Sequence, residues 1–561
     1  MLRNLILALL VCAGTLGAQP GLPIGGSKLL KDGVTVLEAP RFGSSHWFRT
    51  HFVQPQPPRV SLRAPARLAD FVVDGHLELS LRDYLELVLA NNTEIAIQKL
   101  TIETPKNAIT RALGRFDPAV VTTFRSTRTV SPTSSQLEGA QTLSQLTQPL
   151  SFAYQQTLET GTTYTIGFSG NKRSTNSAFA TVNPSINASL DFSVTQPLLR
   201  NFGSYVNRLQ VLVAESRLRQ SRFDLENQLL RLLAQAETIY WNVVDARENL
   251  RVNQESLRLA EALLQRSERE LELGAISPLD IFQPQQNRAI AEIAVTQSTY
   301  RLAQAVDALR QQIGADLDPD FRDMPIVLTE PVVPQEAEEP IDKEMMVELA
   351  LRQRPDLRSA LTSLEIDDLN YQSAKNFLKP DLSLTMSYSA AGLGGTFFEP
   401  LGGGAFRPIP GGLGDALNQV FGFNFPTYGF ALSLRLPIRD RAAVANLADA
   451  AVSKRLNSLR ARQVEQQIRL EVLNAVNNVE SSRARLKLAQ LSVDFAQKRL
   501  DAEQKKYDLG VTTIFFLLDA QNRLAEAQSQ LVTEASQYRR NLTNLLRVTG
   551  QLLRERNVVV D

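Results

Sequence analysis

Apolar and polar positions alternate along this chain in two distinct textures. The first has a period of two. Ile186, Ala188, Leu190, Phe192 and Val194 are interleaved with Asn187, Ser189, Asp191, Ser193 and Thr195. Leu382, Leu384, Met386 and Tyr388 alternate in the same way with Ser383, Thr385 and Ser387, and Tyr428, Phe430, Leu432, Leu434 and Leu436 form a third run. Successive strand side chains point to opposite faces, so each run predicts a sheet whose two sides meet different media. A half-buried strand of a soluble sandwich fits this pattern. A membrane-barrel strand, with lipid outside and water inside, fits it equally well.

The second texture is long and helical. Leu225, Leu229, Leu232, Ala236, Ile239, Val243, Ala246 and Leu250 recur at alternating steps of four and three. Ile468, Val472, Ala475, Val479, Ser482, Leu486, Ala489, Val493, Ala496 and Leu500 repeat the spacing. A mean period of 3.5 residues predicts supercoiled helices meeting along a narrow seam. A second apolar row, Leu230, Leu233, Tyr240 and Val244, gives the first helix neighbours on two sides, which suits a ring of helices. Between Pro197 and Gly274, and between Pro437 and Gly510, there is room for about 70 helical residues, roughly 100 Å at 1.5 Å each. The predicted architecture is long and tubular.

The same plan occurs twice. Asn92-Thr93-Glu94-Ile95 and Arg354-Pro355-Asp356-Leu357 stand 262 residues apart, as do Pro118 and Pro380. Gln196-Pro197-Leu198 and Leu436-Pro437-Ile438 are offset by 240. Leu273-Gly274 pairs with Leu509-Gly510, and Ile313-Gly314 with Thr549-Gly550, both at 236. An offset that is constant within blocks and shifts only between them marks a duplication with loop insertions.

Composition narrows the chemistry. The 60 Lys and Arg against 59 Asp and Glu leave a net charge of +1, which argues against a nucleic-acid coat. Three His and one Cys make a zinc, iron–sulfur or disulfide framework a poor fit. No cofactor, metal site or catalytic constellation is expected, since no phosphate-binding glycine loop or nucleophile elbow occurs. Residues 1–18 read as a secretory signal: Arg3, an apolar stretch from Leu5 to Val11, then small residues up to Ala18. Cys12 lies inside it. A lipid-anchor reading of Cys12 meets Val11 where a small residue is expected.

Together these features resemble the TolC-like outer membrane efflux family, over roughly residues 79–552. The resemblance rests on Leu79-Ser80-Leu81 leading to Asn91-Asn92, the prolines Pro118 and Pro380, the Gln196-Pro197-Leu198 strand exit, and two glycine turns. Those turns run from Leu273 to Asp280 and from Tyr507 through Asp519 to Gln521. The resemblance implies an α+β membrane protein: a homotrimer sharing one outer-membrane β-barrel, continued by a long periplasmic α-helical barrel. Four strands from each of three copies would close a barrel of twelve. The expected order is a signal at 1–18, an extended linker at 19–78, and a first repeat at 79–316. That repeat holds strands at about 119–197 and a helical hairpin at about 200–314. An inter-repeat linker at 317–340 follows. The second repeat, 341–552, holds strands at about 381–437 and a hairpin at about 441–550, before a tail at 553–561.

In its strand regions the chain departs from the family pattern in two places. Pro118 to Pro197 spans 22 residues more than Pro380 to Pro437, and the surplus alternates around Glu159-Thr160-Gly161-Thr162 as an extra hairpin. It is expected to enlarge the barrel, lengthen its strands or cap it. The glycine-rich stretch 392–414 reads as a long loop or plug-like segment near the barrel mouth.

The candidate functional residues lie at the two hairpin turns, where the resemblance puts a periplasmic gate and the contact with an adaptor. Gly274 and Gly510 are expected to end their helices with positive φ. Asp280 is expected to cap the returning helix. Tyr507 and Asp519 match the family turn, whereas Thr512 replaces an arginine and Phe516 an acidic residue. In a trimer Asp519 would form one anionic ring and Phe516 an apolar constriction that gates by dewetting. Packing of Phe516 between helices is the other reading. Arg247, Glu248, Arg251, Arg266, Glu268, Arg269 and Glu270 read as a solvated face without a site, and Trp241 as a helix-packing residue. The expected role is a passive outer-membrane exit duct of a tripartite efflux or type I secretion system. Its partners would be a periplasmic adaptor (membrane fusion) protein, an inner-membrane transporter and outer-membrane lipid, with no nucleic acid. The alternatives are a periplasmic coiled-coil adaptor and a structural envelope protein.

Overall fold

The computed structural model describes residues 66, 68–133, 138–274, 276–333, 341–402 and 405–558. The signal peptide, Cys12, most of the N-terminal linker, part of the inter-repeat linker and the last three residues lie outside the described residues.

Two short strands and three α-helices stand near the start of the described chain. β1 (Val72–Val73) and β2 (His76–Leu79) form a hairpin, and β2 pairs in parallel with β8 (Ile326–Leu328). Parts of the two expected linkers are thus joined in one small sheet. Strands of two to four residues are too short to show a period, so sequence pattern did not reveal them. α1 (Leu81–Asn91), α2 (Thr93–Leu100) and α3 (Glu103–Leu113) follow. Ser80 and Asp83 form a capping box at the start of α1, and the Asn92 side chain accepts from the backbone N–H groups of Glu94 and Ile95 to start α2. In the second repeat, α7 (Lys343–Gln353) and α8 (Pro355–Phe377) replay this junction with Arg354 at the position of Asn92.

The large sheet takes strands from both repeats. β3 (Ala119–Phe124) and β4 (Thr127–Pro132) pair in series with β5 (Thr142–Thr157), so the two make one broken column. Antiparallel pairing continues through β6 (Thr163–Thr175), β7 (Val182–Pro197) and β9 (Asp381–Gly402). β10 (Ala405–Ile409) and β11 (Pro426–Arg435) pair with the far and near parts of β9 and form the last column. Eight strands therefore occupy six columns, two more than the family pattern suggests. The surplus in the first repeat is the β5–β6 hairpin, and it is inserted within the sheet.

Register aligns side chains into ranks across all six columns. Val120, Tyr154, Ile166, Phe192, Tyr388 and Tyr428 lie on one rank and one face. On the opposite face Thr123 meets Ser151 at 2.6 Å, Ser169 meets Ser189 at 2.8 Å, and Ser389 donates to Asp191 at 2.6 Å. One face is apolar and the other is a lattice of hydroxyl and carboxylate groups.

The glycine-rich segment differs from expectation. It continues β9 and β10 and then forms α9 (Leu413–Phe421), with Ala416 and Val420 buried against Ala188, Ile186, Leu190 and Phe168 on the apolar face. Gly392 permits this approach, because a Cβ there would run into the Ala416 carbonyl. The Gln419 side chain bonds both the N–H and the C=O of Leu393, at 3.0 and 3.1 Å, where β9 lacks a strand partner on that side.

Below the sheet, the short α4 (Ser204–Asn207) leads to two helical hairpins. α5 (Leu209–Glu272, 64 residues) returns through α6 (Phe282–Ile313), and α10 (Arg441–Asp508, 68 residues) through α11 (Ile514–Thr549). Each long helix extends roughly 100 Å. The predicted seams are buried: Leu229, Ala236 and Val243 on α5, and Ile468, Val472 and Val479 on α10. The second row of α5 is buried as well, with Leu230, Leu233, Tyr240 and Val244 at most 1% exposed. Trp241 is a packing residue, edge-on to Tyr240 at 5.5 Å. The main core lies where α1, β2, α5, α6, α7, α10 and α11 meet, and α12 (Leu552–Glu555) closes it with Leu552 and Leu553. Arg556, placed in the expected tail, donates to the carboxylate of Glu237, which is 2% exposed on α5. Among the described residues, no helix is long and apolar enough to cross a membrane.

Candidate functional site at the hairpin turns

Both long helices end in a left-handed glycine, Gly274 at φ +72 and Gly510 at φ +73. A side chain with a Cβ is strained there, so glycine closes each helix at low cost. The turn residues are strongly exposed: Leu273 is 83% accessible and Val511 75%. Asp280 does not cap α6 as expected. Its carboxylate accepts from the N–H of Ser277 at 3.3 Å, within the turn, and Ile281 starts α6 without a side-chain cap.

Just inside the turns, the two hairpins are tied together by a cluster on α5 and α10. The Tyr507 hydroxyl donates to Glu270 at 2.8 Å. Arg266 donates to Glu270 at 2.8 Å and to Asp508 at 2.6 Å, and its guanidinium lies 4.8 Å from the centre of the Tyr507 ring. Leu263 packs against Leu517 and Leu518 beside it. Burial, then donation to Glu270, push the Tyr507 hydroxyl up to about 12. Hydrogen bonds from Arg266 and Gln504 hold the Asp508 carboxyl below its ordinary value. The two acceptors hold the Arg266 guanidinium still more firmly protonated.

Arg266 and Glu270 were expected on a solvated face without a site. They belong to this cluster because their partners come from a helix some 240 residues away, a proximity that charge patterning along one helix cannot reveal. Arg247 likewise leaves the solvated face and donates to the carbonyl of Leu328 at 2.6 Å.

Asp519 and Phe516 sit on the first turns of α11. Asp519 accepts from Arg499 of α10 at 2.7 Å and lies 3.5 Å from Arg523, so two guanidinium groups offset its charge within one chain. Phe516 is half exposed and stacks edge-on with Phe515 at 5.5 Å. Gly274, Gly510, Tyr507, Phe516 and Asp519 thus share one end of the molecule. Among the described residues, no group of His, Cys, Asp and Glu could hold a metal ion.

A two-sided sheet set on two long helical hairpins is a fold that known proteins share. The solved Campylobacter jejuni CmeC outer membrane channel superposes with a TM-score of 0.57 at 16% identity, over 93% of this chain and 95% of that one. The outer membrane protein VceC of Vibrio cholerae superposes with a TM-score of 0.58 at 14% identity, over 84% and 96%. Residues 346–551 match the family model described as outer membrane efflux protein. The second repeat therefore carries an outer membrane efflux protein domain. The probable efflux pump outer membrane protein TtgC of Pseudomonas putida is 22% identical over 320 residues, 57% of this chain and 60% of that protein. The chain therefore spans less than two thirds of this curated relative.

Proposed function

We propose that three copies of the chain assemble in the cell outer membrane into a passive exit duct of a tripartite efflux or type I secretion system. The observation that carries this reading is the sheet itself. It has one apolar and one hydroxyl-lined face, and among the described residues its two outer columns, β3–β4 and β10–β11, are each paired on one side only. Unpaired backbone groups in hydrocarbon cost several kcal/mol each, so such a sheet in lipid is completed by further copies. A six-column sheet is also below the eight strands of the smallest membrane barrels. The apolar face would meet lipid and the hydroxyl face would line water. Lys172, on the apolar face two residues beyond Gly170, would mark the outer edge of the lipid belt.

The helices would continue the bore into the periplasm. Their exposed turn residues Leu273, Leu279, Leu509 and Val511 offer an apolar tip to the helical hairpins of an adaptor that recruits an inner-membrane transporter. The cluster of Arg266, Glu270, Tyr507 and Asp508 would hold the tips together as a latch, with Phe516 narrowing the opening. Asp519, already paired with Arg499, adds less negative charge to the bore than a free ring would. Energy comes from the transporter, and the duct is not an enzyme. A periplasmic adaptor is disfavoured by the large sheet drawn from both repeats. Reconstitution into planar bilayers tests the reading: threefold particles should give discrete aqueous conductance, and soluble particles without conductance would remove it.

A further inference from the structure

We propose that the closed outer-membrane wall of this protein contains eighteen strand columns, six from each of three copies, with β11 of one copy paired to β3 of the next. The inference rests on the threefold duct proposed above and concerns the width and seams of its wall.

The β5–β6 hairpin is what widens the sheet. It is paired on both sides over most of its length: β5 meets β3 and β4 from Ala119 to Pro132, and β6 meets β7 from Thr163 to Arg173. Its side chains obey the same two-sided rule as the rest of the sheet. Tyr154 and Ile166 fill the apolar rank between Val120 and Phe192, while Ser151 and Ser169 continue the hydroxyl lattice from Thr123 to Ser189. A cap over the mouth or an extension beyond the membrane would not need an apolar rank in register with the neighbouring columns.

The two free columns fit each other. The order β3–β5–β6–β7–β9–β11 is antiparallel at every step, so β11 of one copy runs antiparallel to β3 of the next. Every residue of both strands is exposed in the single chain. Both columns are also interrupted in series: β11 and β10 on one side, β3 and β4 on the other.

Widths agree as well. At about 4.8 Å between strands and a tilt of about 40°, six columns cover roughly 38 Å of circumference, and four would cover roughly 25 Å. The four helices that each copy brings to the ring, at about 8–10 Å apart, cover roughly 32–40 Å. A wall of six columns per copy therefore continues the helical ring with little narrowing. Eighteen columns give a backbone diameter of roughly 36 Å, against roughly 24 Å for twelve, and about twice the open cross-section.

Two experiments on the full chain test this. Electron cryo-microscopy in lipid nanodiscs should show threefold particles with eighteen strands at the level of Tyr388. A threefold particle with twelve strands and the β5–β6 hairpin off the wall overturns the inference and leaves the duct reading standing. A particle of other symmetry overturns both. The second experiment is disulfide linkage, with Cys12 as the only native cysteine. Thr123→Cys combined in turn with Gly429→Cys, Ala431→Cys or Ser433→Cys should give covalent trimers for at least one pair. Thr123→Cys with Ser189→Cys should not link, because three columns place them about 14 Å apart, beyond disulfide reach. An internal link between Thr123 and Ser189 would mean β3 lies against β7, and would overturn the inference.

Discussion

Replacing Tyr507 with Phe removes one hydroxyl from the proposed latch and leaves the ring against Leu263 and Arg266. The lost contact is a 2.8 Å hydrogen bond to a carboxylate, Glu270. Hydrogen bonds to charged groups contribute about 1.5–3 kcal/mol when well shielded. Tyr507 is only partly buried, and solvent screening reduces this to about 1 kcal/mol. If opening breaks the latch in all three copies together, the closed state loses about 3 kcal/mol, which is about 150-fold in the closed-to-open ratio. Single-channel recording in planar bilayers measures the effect as longer or larger open events in Y507F than in the parent. An open probability within twofold of the parent would refute the latch.

Linkage adds a pH signature. The Asp508 carboxyl, held below its ordinary 3.8 by Arg266 and Gln504, supports the latched state above that value and ceases to as pH falls through its lowered value. Conductance should therefore rise on acidification below about pH 4, and D508N should abolish that rise. The Tyr507 hydroxyl, raised to about 12 by burial and Glu270, supports the latch up to pH 10 and loses it between 10 and 12, a loss absent from Y507F. Arg556→Ala strands the Glu237 carboxylate in the core and should cost about 3 kcal/mol. The double variant with Glu237→Gln should recover part of this, as read by urea unfolding of the helical signal. Gly392→Val should displace α9 from the sheet, detected as faster proteolysis between Arg407 and Arg435, with the helical content unchanged.

Much of this architecture could be read from the residues because its patterns are long. Ten-residue alternation on β7 and β11 and a seam sustained over 25 residues of α5 average out local exceptions. The glycines at 274 and 510 were legible because positive φ imposes one residue type. Other features depend on partners remote in sequence. β2 and β8 are brief and meet across some 250 residues. Nothing in the pattern around Glu159 decided whether the extra hairpin joins the sheet or leaves it; only its register with β3 and β7 does. The segment 392–414 has the composition of a loop because glycine usually breaks strands, whereas Gly392 and Gly394 here make room for α9 against an ordinary ladder. The latch was half visible: Tyr507 stood out in its turn, but Arg266, Glu270 and Asp508 looked like ordinary helix-surface charges.

The most direct measurement is single-channel recording on purified full-length protein reconstituted into planar lipid bilayers, with its particle symmetry determined in parallel. Threefold particles that insert from one side and give stepwise, ohmic, cofactor-independent conductance, increased in Y507F, are the predicted result. Particles that remain soluble and leave the bilayer silent would contradict the account.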